Sequence, residues 1–104
     1  QLAALPVQVR QKIGAALFEV QKGQTPHNAK PLKGIGRGIY EIIARHDRDT
    51  FRAVYTVQIG DDIYVLHVFQ KKSKRGISTP PREIERIRKR YQLAIEDAKE
   101  MTNE

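Results

Sequence analysis

The sequence contains no cysteine and no tryptophan, a single methionine, and only three phenylalanines and four tyrosines in 104 residues. Without thiols there are no disulfides, no thiolate nucleophiles and no cysteine-based zinc sites, a composition that fits a reducing cytoplasm. With so few rings the core must be largely aliphatic. No apolar run approaches the roughly 20 residues that span a bilayer, and the first residues lack the charged and apolar regions of a signal peptide. No membrane role is expected, and any chemistry must run on side chains other than cysteine. Acidic residues are also scarce where basic ones are dense: residues 71–90 hold nine Lys and Arg against two Glu.

The charge is therefore local. The chain carries a formal net charge of +7, and residues 91–104 reverse the sign with one basic and four acidic groups. Such a field attracts phosphates or an acidic partner and makes association salt-dependent. A solvated Lys/Arg-rich helix face is the competing reading of the same run. At this length the chain is one domain, residues 1–104, with a single core.

Periodicity places the elements. "QLAAL" reads as the end of a helix entered part-way, and residues 99–104 as an acidic, frayed terminus. From Val7 to Gln21, apolar Val9, Ile13, Ala16, Leu17 and Val20 recur at helical spacing, with Pro6 in the tolerated first turn and Gly23 at the stop. "QTPHNAKPLKGIGRG" has two prolines and three glycines without an apolar period, which predicts a loop. Three strands follow, 38–44, 50–59 and 63–70, joined by "RHDRD" and "GDD" as antiparallel hairpins. In the second strand Arg52, Thr56 and Gln58 share one face and Phe51, Ala53, Tyr55 and Val57 the other, which predicts one wet and one buried face. "STPP" opens a last helix, with Thr79 as N-cap and Pro80 at the first helical position. Its stripe is Ile84, Ile87, Tyr91, Ala94, Ile95 and Ala98. The expected fold is α+β, with helices on one side of a small antiparallel sheet.

The chemistry on offer is cationic. Gly34, Gly36 and Gly38 precede a strand rather than joining strand to helix, so they are no dinucleotide fingerprint. His27, His46 and His67 stand roughly twenty residues apart without a metal-ligand pattern, and Asp61 and Asp62 sit in a turn that favours Asp for backbone reasons. No metal or cofactor is expected. A cluster of Arg and Lys at the end of a sheet could still cleave RNA, because the 2′-hydroxyl supplies the nucleophile. The protein must then stabilise charge on the phosphorane-like transition state and protonate the leaving oxygen. Arg52 in mid-sheet and Lys71 and Lys72 at a strand end are the candidate catalytic residues.

The ordered stretches "KPLKGIGRGIYEI", "DTFRAVYTV" and "YVLHVFQKKSKRGISTPPREIERIRKR" resemble the RelE/ParE superfamily of toxins from type II toxin-antitoxin modules, most closely its HigB-like, phage-derived branch. The resemblance covers roughly residues 5–98. It implies a RelE-like fold of three to four strands whose first strand precedes this chain, and an N-terminal helix or helical hairpin. It also implies ribosome-dependent mRNA cleavage or, in another branch, poisoning of DNA gyrase. The implied partners are a cognate helix-turn-helix antitoxin, the ribosome and mRNA, and operator DNA through the antitoxin complex. Carried over by position, Arg52 matches the Arg of a Y-R-x-x-Y strand, and Lys72 falls near a basic residue that contacts the scissile phosphate, with Lys71 its neighbour. Glu41 and Ile43 stand where nuclease members carry lysines, and their Tyr or His of the last helix has no clear counterpart, Tyr91 lying on the buried stripe. Arg37 and Arg45 are the substitute phosphate contacts, and Lys74, Arg75, Arg82 and Arg86 the residues expected to steer the domain onto RNA. A non-catalytic, protein-binding member is the alternative.

Overall fold

A computed structural model describes residues 5–36, 38–59, 62–71 and 79–102, with 58, 59, 62, 71 and 100–102 through the backbone alone. Helix α1 (Val7–Gln21) starts after Pro6, whose carbonyl accepts the Arg10 N–H at 3.0 Å. It has no side-chain cap and no acidic residue in its first turn. Burial holds it instead: Val9, Ile13, Ala16 and Val20 are buried, and an aliphatic side chain so buried contributes roughly 1.5–3 kcal/mol, more than the ~1 kcal/mol of a typical cap. Gly23 ends it at φ +85°, its N–H on the Val20 carbonyl at 2.9 Å. The predicted stop is borne out.

Four strands form one antiparallel sheet in sequence order: β1 (Ala29–Pro31), β2 (Ile39–His46), β3 (Asp49–Ile59) and β4 (Asp62–Lys71). The β2 and β3 hairpin closes at the pair of His46 and Asp49, and Asp47 takes φ 55° in the turn. Asp tolerates that left-handed conformation better than most residues. β1 corrects the expectation of a featureless loop. It is three residues long, and it pairs Ala29 with Ile42, Lys30 with Glu41 and Pro31 with Tyr40. Leu32 and Ile35 beyond it pack against the core.

The helices do not share a side of the sheet, contrary to expectation. α1 packs with Ile42, Ala44, Phe51, Ala53 and Tyr55. Helix α2 (Pro81–Thr102) covers the alternate residues, Ile87 and Ala94 packing with Ile39, Val54, Leu66 and Phe69. Residues 51–56 of β3 are all buried, so its supposedly wet face is covered too. The polar residues that suggested water there, Arg52 and Thr56, are 5% and 0% exposed. Thr79 is likewise not the cap of α2. The Pro80 carbonyl accepts the Glu83 and Ile84 N–H groups, each at 3.0 Å, so Pro81 is the first helical residue.

Candidate functional site

Strand register brings the expected cations together at one end of the sheet. Arg45 pairs with Thr50 and Thr50 with Lys71, which places the three residues on a single rung. The second rung along runs Ile43, Arg52, Phe69 and the fourth Glu41, Val54, His67. Directly paired residues share a face, and so do alternate rungs' neighbours at a spacing of two along each strand. Arg45 and Lys71 lie two strands apart, about 10 Å, and Arg45 is exposed. Arg52, two residues after Thr50, is on the same face.

Arg52 does not reach solvent. Its Nη1 donates to Glu41 Oε1 at 2.6 Å, and both side chains are buried. Thr79 Oγ1 donates to Glu41 Oε2 at 3.3 Å, and Lys30 Nζ lies 3.6 Å from Glu41 Oε1. One carboxylate therefore gathers an Arg, a Lys and a hydroxyl. Arg52 Nε is buried without a hydrogen-bond partner among the described residues, an arrangement that leaves about 1–3 kcal/mol of desolvation uncompensated.

A second polar group ties α2 to β4. His67, 6% exposed and stacked on Phe69, has Nε2 2.9 Å from Glu83 Oε1. Arg90 Nη1 donates to His67 Nδ1 at 2.7 Å and to the Leu66 carbonyl at 3.1 Å. A guanidinium only donates, so Nδ1 must accept and the ring proton sits on Nε2, facing Glu83. Farther along, Tyr64 donates to Asp97 Oδ2 at 3.4 Å. Glu83 at His67 and Asp97 at Tyr64 fix the direction of α2. It begins level with His67 and runs away from the rung of Arg45 and Lys71.

Among the expected contacts, Arg45, Arg82 and Arg86 are exposed, and Arg86 Nη1 lies 3.9 Å from Glu83 Oε1. Lys71 is the last residue of β4. Arg37, Lys72, Lys74 and Arg75 lie outside the described residues. Tyr91 packs half-buried against the α2-side core, with Gly36 against its ring. Sequence reasoning did not find the pairing of Glu41 with Arg52, nor the set of His67, Glu83 and Arg90. A charged residue in the middle of each of two adjacent apolar strands, Glu41 and Arg52, was the available signal.

Against known proteins, the family whose model matches is Phage derived protein Gp49-like (DUF891), over residues 1–92. No curated protein and no solved structure matches.

Proposed function

This chain belongs to the Gp49-like family of phage-derived proteins, and from that premise we propose that it is the toxin of a type II toxin-antitoxin module, acting as a ribosome-dependent mRNA endoribonuclease in the cytoplasm. The ordered motifs shared with RelE/ParE toxins support this reading. The observation that carries it is the rung of Arg45, Thr50 and Lys71, which leads directly into the Lys72, Lys74 and Arg75 stretch.

The reaction needs no group beyond side chains and substrate. The RNA 2′-oxygen attacks the adjacent phosphorus and gives its proton to a base. The bond from phosphorus to the 5′-oxygen breaks, and that oxygen takes a proton, leaving a 2′,3′-cyclic phosphate and a 5′-hydroxyl. Lys71 and Lys72 hold the extra charge of the transition state, while Arg37, Arg45, Lys74, Arg75, Arg82 and Arg86 contact flanking phosphates. Arg52, neutralised by Glu41, positions the strand that carries Thr50 rather than meeting the phosphate itself. A helix-turn-helix antitoxin would complete the module and bind operator DNA.

The buried pair of Arg52 and Glu41 favours a second reading, a family member that works by binding protein without cutting RNA. Expression in bacteria separates them. The nuclease predicts growth arrest with transcripts cut within codons, relieved in Lys71→Ala/Lys72→Ala at an unchanged level of folded protein. Arrest with intact transcripts transfers the proposal to the second reading, and normal growth of the wild type overturns the nuclease.

A further inference from the structure

We propose that the groove between α1 and the β1 edge of the sheet is a binding site for a small organic anion, a compact apolar body bearing one phosphate or carboxylate. The groove encloses about 650 Å³, within the roughly 300–1,000 Å³ of small-molecule sites. It exists because of two features of the sequence. Ala15 and Ala16 of α1 face Ala29 and Ala44 across it, so four methyl groups stand where larger side chains would fill the space. β1 also begins only at Ala29, opposite Ile42, whereas β2 continues to His46. Past that point β2 has no strand neighbour on this edge among the described residues.

One cation and one backbone donor mark one end. Lys12 Nζ donates to the Arg45 carbonyl, which spends one of its three donor directions there and holds the ammonium at the groove's mouth. The Ile43 N–H bonds the Asn28 carbonyl, so by the period of two the Arg45 N–H points to the same edge. Glu19 is the one acid of the lining, two turns of α1 and about 10 Å from Lys12. Lys30 also lines the groove, but its ammonium lies 3.6 Å from Glu41 Oε1 and is already partnered there. An anion therefore belongs at the Lys12 end, with the apolar body over the alanines.

The same geometry disfavours a longer chain. A peptide adding as a strand to β2 past Ile42 would find the Ile43 N–H already on Asn28 and the Arg45 carbonyl already on Lys12, and β1 beside it is three residues long and ends in Pro31, which has no N–H. The site shares Arg45 with the rung of Lys71, but its occupancy does not depend on the function proposed above.

Amide chemical shifts of the full chain, titrated with phenyl phosphate and separately with benzoate, test this. Saturable shifts are expected on residues 12–19, 27–30, 44 and 45. The tighter of the two probes should bind at least tenfold better than inorganic phosphate, phenol or benzyl alcohol, and that ranking separates phosphate from carboxylate. Lys12 and Ala15 are both exposed, so neither substitution disturbs the core. Lys12→Met should weaken binding at least tenfold, and Ala15→Leu should abolish it by filling the groove. The proposal is overturned if neither probe saturates, if inorganic phosphate does as well, if Ala15→Leu leaves affinity unchanged, or if the shifts fall on residues 79–90 instead.

Discussion

Arg52 and Glu41 act chiefly as a buried pair, with Lys30 and Thr79 adding longer contacts to the same carboxylate. Removing one leaves the other charged and buried, which typically costs about 3–5 kcal/mol, whereas replacing both by apolar residues of similar volume is often neutral. Arg52→Met and Glu41→Met are each expected to lose that much in urea denaturation, and the double variant to recover most of it. Additive losses would mean that the two side chains are not coupled. It follows that inactivity of a single Arg52 variant reports on folding before chemistry, and Lys71 and Lys72 are the better probes of the site. Tyr55 sets a separate limit at high pH. Burial, helped by the neighbouring Tyr40, pushes its phenol from 10.0 up to about 12. The folded protein then holds a proton that the unfolded chain releases above pH 10, so this contribution is whole below pH 10 and is lost as pH rises toward 12. Denaturation midpoints should fall across that window, and Tyr55→Phe should flatten the fall.

At the scale of elements, the segment after β1 is held by a close approach to α2. A Cβ on Gly36 would sit 2.7 Å from Tyr91 Cε2 and 2.8 Å from its hydroxyl, too near for both to stay. Gly36→Ala is expected to destabilise by about 1–3 kcal/mol, the usual range for overpacking. In a Tyr91→Leu background the same change should lose less, and an equal loss in both would remove the contact as the cause. Elements with a sustained period were legible before the structure: α1 over Val7–Gln21, the three long strands, and the α2 stripe of Ile87 and Ala94. β1 was not, since three residues ending in proline have no period to detect. The side on which α2 packs was hidden for a different reason. Arg52 and Thr56 made one face of β3 look solvated, and only the register, which sets Glu41 two residues from Arg52's partner Ile43, shows that the Arg has a carboxylate partner inside the fold. The same blind spot affected the candidate site. Thr79 was expected to cap a helix because of its place before two prolines, yet its hydroxyl goes to Glu41 across 38 residues of chain.

For the whole molecule, charge placement decides how it can meet RNA. A net charge of +7 would attract any polyanion, so affinity alone says little about a site. The salt dependence says more, because each phosphate neutralised on a single strand contributes a slope of about −0.7 in log K against log salt. If Arg45 and Lys71 each hold a phosphate from their common rung, Arg45→Ala/Lys71→Ala should weaken binding of a short single-stranded RNA and flatten that slope by about 1.4, twice the single-strand increment. Removing two charges remote from the rung, Lys22→Ala/Lys99→Ala, changes the net charge equally and should leave the slope nearly unchanged. Binding measured by fluorescence anisotropy from low to physiological salt distinguishes the two cases. Equal flattening in both double variants would show that RNA senses only the overall field, and the rung would then lose its standing as a phosphate-binding edge.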